Sequence, residues 1–119
     1  MHFIYIYTVE AHPIGSPSPY SNKEWLGAYS FDAQGNPVNQ AITYEERVEH
    51  ARKTKMEAGI NILILVDEMD NPVWSTYGPA PNISYLIGED GKIVAKQSWY
   101  DPKLMEQEIG KYLTNSAIK

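Results

Sequence analysis

Two stretches of the chain are apolar almost without interruption, and both predict β-strands. The first, HFIYIYT, runs from His2 to Thr8 and is rich in aromatic and β-branched residues. The second, INILILV, runs from Ile60 to Val66 and leads into the acidic run DEMD. Strands without polar alternation are typical of a parallel sheet flanked by helices. We therefore expect both strands to be covered on both faces.

Two segments with helical spacing carry recognisable ends. Thr43 to Glu46, TYEE, is a capping box that opens a helix, and Gly59 suits the left-handed residue that follows the helix. Asp101 and Pro102 open a final helix as N-cap and first residue. Its apolar residues form one stripe: Leu104, Met105, Ile109, Tyr112 and Leu113.

The remaining signals complete an alternating order of elements. Asn71 and Pro72 predict a short helix, and the stretch GEDG, from Gly88 to Gly91, predicts a β-hairpin between Ile83–Ile87 and Lys92–Lys96. The order strand, long loop, helix, strand, short helix, hairpin, helix predicts an α/β fold. The proline- and glycine-rich residues 14–41 are a long insertion within one predicted domain, 1–119.

Composition narrows the functional classes. A net charge of −5 argues against nucleic-acid binding, which needs a cationic face. No signal peptide is visible and no apolar run is long enough to span a bilayer, so we expect a cytoplasmic protein without membrane contact. The chain contains no cysteine, which excludes disulfides and thiolate nucleophiles within it.

Five segments in succession resemble the iodothyronine deiodinase family: FIYIYTVEAHP, EERVEHARK, ILILVDEMDN, YGPAPNISYLIGEDGKIVAKQ and DPKLMEQEI. The resemblance covers nearly the whole chain outside the insertion, and Glu-Ala-His-Pro together with Val-Asp-x-Met-Asp-Asn carries most of it. It implies a thioredoxin-like sheet flanked by helices. It also implies reductive removal of iodine from an aromatic ring by a selenocysteine or cysteine at the end of the first strand of the fold.

The same resemblance suggests site residues. His12 and Glu10 match the histidine and glutamate that handle protons beside the family's nucleophile, and a carboxylate two residues away could fix the imidazole tautomer. Pro81 matches the cis-proline that faces the nucleophile, and with Ala80 it would line a pocket for an aromatic small molecule. No cofactor and no metal are implied.

The chain departs from the family at the nucleophile. The family's nucleophile lies on a strand and helix upstream of the segment that matches Phe3, so the thioredoxin-like sheet is expected to be incomplete at the N-terminus. In the family, the strand that carries the nucleophile lies between the two strands that match Phe3–Tyr7 and Ile83–Ile87. We expect one of these two strands to pair across a subunit boundary, most simply in a homodimer.

Each candidate residue also has a structural interpretation. His12 could be a hydrogen-bonded histidine at a strand end, and Glu10 a solvated carboxylate at a strand edge. The carboxylates of Asp67, Glu68 and Asp70 could bind a divalent cation, but capping the following helix is the favoured use. The three histidines of the chain lack the spacing of metal ligands.

Two functional hypotheses remain. In the first, the chain is a deiodinase-like domain without redox chemistry of its own, at most a binding or interaction domain. In the second, it is the C-terminal part of a reductive deiodinase-like oxidoreductase that acts on halogenated aromatic compounds, and an upstream segment supplies the nucleophile. The absence of cysteine favours the first for the chain by itself.

Overall fold

The computed structural model describes residues 1–78 and 82–118, and its alternating elements confirm the predicted α/β class. The elements are β1 (Ile4–Tyr7), α1 (Tyr44–Ala58), β2 (Leu63–Val66), α2 (Pro72–Tyr77), β3 (Ser84–Ile87), β4 (Ile93–Gln97) and α3 (Pro102–Ile118). They fall into two compact units, Met1–Pro79 and Ala80–Lys119. Within the described residues, no helix is both long and apolar enough to cross a membrane. The thioredoxin-like arrangement of the sheet stays a prediction.

The first unit contains a parallel pair of strands with a helix against one of them. Ile4 of β1 pairs with Leu63 of β2, and Tyr7 pairs with Val66. Helix α1 contacts β2 and supplies the crossover that a parallel pair requires. Because the strands are parallel, their carboxyl ends lie at the same end of the sheet, and the residues that follow them, including Glu10 and Asp67, leave the sheet there.

One face of this strand pair is apolar and exposed. Partner residues in a parallel register point to the same side, so Ile4, Ile6, Leu63 and Leu65 form one face, and each is 43–56% exposed. The expectation that both strands are covered on both faces is therefore wrong for this chain. The reason is architectural, because the unit has a single long helix, α1, and one helix cannot cover both faces.

Helix α1 begins and ends as its sequence predicts. The Thr43 hydroxyl accepts a hydrogen bond from the backbone N–H of Glu46 (3.2 Å), and the Glu46 carboxylate accepts from the N–H of Ile42 (2.9 Å). Gly59 adopts φ 65°, ψ 34°, a left-handed conformation that lets the chain turn directly towards β2. The Thr43 cap is therefore confirmed, and Glu46 reaches back as predicted, although to Ile42, one residue before the N-cap.

The second unit is an antiparallel hairpin followed by a helix. Strands β3 and β4 pair from Ser84 with Gln97 to Ile87 with Ile93, and a register irregularity lies between Leu86 and Ile87. Gly91 takes the positive φ of 78° that the predicted tight turn needs. At the start of α3, the Asp101 carboxylate accepts from the N–H of Leu104 (2.9 Å), as an N-cap does.

Apolar burial is sparse in both units. The buried hydrophobic side chains among the described residues are Ala41, Ala51, Leu86 and Met105. Buried polar and charged residues in the first unit are Glu10, Ser18, Ser30, Arg47 and Asp67. The interior of the first unit is therefore organised by polar contacts as much as by apolar packing.

Candidate functional site

A buried carboxylate lies just beyond the carboxyl end of β1. Glu10 is 7% exposed, and one of its oxygens accepts from Nδ1 of His50 at 2.8 Å and from the Tyr7 hydroxyl at 3.2 Å. The other oxygen accepts a long hydrogen bond of 3.5 Å from the backbone N–H of Ala41. The turn after β1, helix α1 and the end of the insertion thus meet at one charged group.

Tyr7 contributes a hydroxyl that stays protonated. Burial, followed by repulsion from the Glu10 carboxylate and the hydrogen bond to it, raises the pKa of Tyr7 well above its usual range. A phenol in this state donates to Glu10 at neutral pH and cannot act as a base there. Its role in this arrangement is to hold the carboxylate.

The hydrogen bond to Glu10 fixes the orientation of the His50 ring and the position of its proton. The carboxylate only accepts, so Nδ1 of His50 carries a proton, and in the neutral ring Nε2 is left with the free lone pair. The side chain is 26% exposed, so the ring is not sealed from solvent. Glu10 and His50 together form a carboxylate–histidine pair in which the carboxylate fixes the tautomer of the ring.

His12 hydrogen-bonds a backbone carbonyl rather than Glu10, in line with the structural interpretation of this residue. Its Nδ1 is 3.0 Å from the carbonyl oxygen of Trp25, so Nδ1 is the donor, and the two rings meet edge to face at 4.9 Å. Its own carbonyl accepts from the buried hydroxyl of Ser30 at 2.9 Å. A Cβ at Gly27 would lie 3.1 Å from the His12 ring, so glycine permits this close approach. His12 anchors the insertion to the end of β1.

The structure therefore joins Glu10 to His50, not to His12. The histidine predicted beside the carboxylate hydrogen-bonds Trp25 through its Nδ1, and the histidine that contacts Glu10 lies 40 residues after Glu10. The predicted pocket residues, Ala80 and Pro81, lie outside the described residues, and so does the cis-proline prediction. Their place relative to Glu10 stays a prediction.

Asp67 caps a helix, as the favoured interpretation of the acidic run states. Its carboxylate accepts from the N–H groups of Val73 (3.1 Å) and Trp74 (3.0 Å) in the first turn of α2. Asn71 stands at the N-cap and Pro72 follows it, as Asn-Pro predicts, but Asn71 has φ 57° and its side chain makes no cap. Its side-chain oxygen accepts from Arg47 instead.

Arg47 is the central buried cation of the first unit. It is 1% exposed, and Nη1 donates to the carbonyls of Asp67 (3.2 Å) and Glu68 (2.7 Å) and to Oδ1 of Asn71 (2.9 Å). These acceptors all belong to the turn between β2 and α2. Arg47 thus attaches α1 to the carboxyl end of the two strands, where Glu10 and Asp67 also lie.

Sequence reasoning missed His50 and Arg47 for the same reason. Both lie on α1, where charged residues are expected to face solvent, and their partners are 20 to 40 residues away. Arg47 is buried and Arg52 is exposed, but both are arginines flanked by charged residues on the same helix. Ala51, four residues after Arg47 and also buried, is the one local signal for this face.

No family model, curated protein or solved structure matches the chain. In the part of the chain that the structure describes, no group of three or more histidine or acidic side chains could hold a metal ion.

Proposed function

We propose that this chain is a deiodinase-like domain of the thioredoxin type, which has no redox activity by itself and functions as an interaction domain. The observation that carries the proposal is β1, an uncharged strand with an unpaired outer edge and exposed apolar side chains. Among the described residues, β1 pairs with β2 alone. Phe3, Ile4, Tyr5 and Ile6 are between 43% and 57% exposed.

An edge of this kind favours association. Natural edge strands are usually protected by charge, proline or a bulge, because their free N–H and C=O groups otherwise pair with another chain. From Phe3 to Val9 the sequence carries no charge and no proline. A two-stranded sheet is also marginal in water by itself, so adding strands stabilises it.

The second unit offers a less suitable edge. On β4, Lys96 places its ammonium 5.5 Å from the centre of the Tyr85 ring, and a lysine on an outer strand opposes pairing. Strand β3 lacks charge, but three of its four side chains are buried or partly buried. Of the two strands that the sequence analysis singles out, β1 is therefore the favoured one, and pairing with β1 of a second copy gives a homodimer.

The experiment places a charge on each strand in turn and measures the mass of the assembly in solution. Ile4 and Leu63 are register partners on the same exposed face, 53% and 56% exposed. We expect the wild type to be a dimer at micromolar concentration by light scattering or sedimentation, and Ile4→Lys to be a monomer. Leu63→Lys, the matched control on β2, should remain a dimer. A stable wild-type monomer would contradict the proposal.

The second candidate is a reductive deiodinase-like oxidoreductase whose nucleophile another segment supplies. The Glu10–His50 pair favours it, because a buried carboxylate that fixes a histidine tautomer is the arrangement that prepares a proton-transfer group. The same pair also explains stability without chemistry. Catalysis with an added nucleophile-bearing segment, abolished by His50→Ala, would favour this candidate.

A further inference from the structure

A groove lies between the insertion and the end of α1. It has a volume of about 430 Å³ and is lined by Ala28, Tyr29, Phe31, Asp32, Ala33, Glu57 and Ala58. We call it the aromatic groove. It is distinct from β1 and from the Glu10 cluster, and the proposed function leaves it unused.

Two tethers shape the aromatic groove. The Asp32 carboxylate pairs with Lys53 of α1, and the N–H of Ala33 donates to Oε1 of Glu57 at 3.2 Å. Both link the turn of the insertion to the last turns of the helix. The insertion and the end of α1, which form the two walls of the groove, are thus held together by an ion pair and a hydrogen bond.

Two aromatic side chains are displayed on the wall formed by the insertion. Phe31 is 52% exposed and Tyr29 is 72% exposed. Tyr29 has φ 67° at the third position of a turn closed by the N–H of Ser30 on the carbonyl of Gly27, where glycine or asparagine is preferred. A large exposed ring therefore stands at a position whose backbone conformation favours glycine or asparagine.

The charged groups of the groove favour a positively charged ligand. Asp32 is occupied by Lys53 and by two backbone N–H groups. The Glu57 carboxylate receives one backbone hydrogen bond, at Oε1, which leaves further acceptor capacity. Counting Lys53, the three charged groups sum to −1, so the groove carries a net negative charge beside two rings.

We propose that the aromatic groove binds an arginine side chain of a partner polypeptide, with the guanidinium on the Glu57 carboxylate and its flat face against Tyr29 or Phe31. A guanidinium forms paired hydrogen bonds with a carboxylate and also stacks on aromatic rings. The aliphatic stem of the arginine would lie against the alanines of the groove.

The test titrates the isotopically labelled full chain with N-acetyl-arginine amide and follows backbone amide chemical shifts by NMR. We expect saturable shifts confined to residues 28–33 and 57–58, with millimolar affinity. N-acetyl-citrulline amide, which has nearly the same shape without the charge, should bind at least about fivefold more weakly, because charge-assisted hydrogen bonds are about twice as strong as neutral ones.

Two variants separate loss of binding from loss of folding. Tyr29→Gly removes a ring from a position whose φ suits glycine, so it should fold at least as well as the wild type and bind at least about fivefold more weakly. Glu57→Gln should weaken binding similarly, whereas Glu45→Gln in the exposed first turn of α1 should not. Equal binding of the citrulline compound, wild-type affinity in both groove variants, or shifts located elsewhere would overturn the proposal.

Discussion

Glu10 is a charged residue buried at a strand end, and three groups hold it there. Two of them, the Tyr7 hydroxyl and the His50 ring, come from side chains, and the third is the backbone N–H of Ala41. A buried carboxylate without such partners would be strongly unfavourable. The three contacts thus make Glu10 a fixed point between β1, α1 and the end of the insertion.

We predict that Glu10→Gln destabilises the chain by about 1–3 kcal/mol. The hydrogen bonds from Tyr7 and His50 lose the assistance of the charge, and the NH2 group of glutamine, which replaces one carboxylate oxygen, faces donors instead of an acceptor. Urea unfolding followed by circular dichroism measures the difference. The control is Glu49→Gln, which removes an exposed carboxylate paired with Arg52 on the same helix. It should change stability by less than about 0.5 kcal/mol. Equal effects of the two variants would contradict the assigned role of Glu10.

At the scale of single elements, the insertion is held to α1 through Asp32. Its Oδ1 accepts from the N–H groups of Gln34 (2.9 Å) and Asn36 (2.8 Å), and Oδ2 pairs with Lys53. The bond with Lys53 is the main cause that lowers the pKa of Asp32 from 3.8 to about 2. Burial opposes it, and the bonds with Asn36 and Gln34 add smaller contributions that also lower the pKa. The same pair raises the pKa of Lys53.

This pair predicts a pH dependence with a definite sign. A carboxylate whose pKa is lower in the folded chain stabilises it fully above 3.8 and loses that contribution as the pH falls through about 2. Asp32→Asn keeps the acceptor for Gln34 and Asn36 but loses the charge. We therefore expect the variant to be less stable than the wild type at pH 7, with the difference shrinking between pH 4 and pH 2.

Urea midpoints at pH 7, 4, 3 and 2 measure the change, and the ¹³C shift of the Asp32 carboxyl group should titrate near 2. Because the pKa of Lys53 is raised, the contribution of the pair is also lost at high pH, once Lys53 deprotonates. A difference between variant and wild type that stays constant with pH would contradict the role of the charge.

Elements whose signals lie within a few residues could be predicted from the sequence. The Thr43 capping box, the left-handed Gly59 and the Gly91 turn each depend on contacts inside one turn of chain, and the structure contains all three. Asn71 and Pro72 begin α2 as their sequence predicts, but the side-chain cap comes from Asp67, four residues upstream of Asn71. Local chemistry therefore fixes where elements begin and end.

The candidate site could be predicted only in part, because its contacts span the chain. Glu10 was identified, but its histidine partner is His50 on α1. The burial of Arg47 depends on carbonyls of the β2–α2 turn, which no helical pattern reveals. The exposure of Ile4 and Leu63 could not be predicted either. An apolar strand pattern indicates that both faces should be buried, but it does not show which part of the chain would bury them.

At the scale of the whole chain, sparse apolar burial and an uncharged strand edge point in one direction. Among the described residues, each unit buries two hydrophobic side chains, while Phe3, Ile4 and Leu63 are more than half exposed. Domains are stable by only about 5–15 kcal/mol, so uncovered apolar strands are a substantial loss. Association through β1 would recover part of it, which is why the interaction role is the one we favour.

The proposed lack of redox activity gives a direct prediction for the chain by itself. Reductive removal of iodine from a ring needs a nucleophile to accept the iodine and a donor to protonate the ring carbon. His50 and His12 could serve as proton donors, but the chain has no cysteine to serve as the nucleophile. With an iodinated phenol and a thiol reductant, we expect iodide release no faster than in buffer with reductant alone. His12→Ala and His50→Ala should leave that background unchanged. Release above background that disappears in either variant would show a mechanism in which histidine acts without a thiol or selenol of the protein.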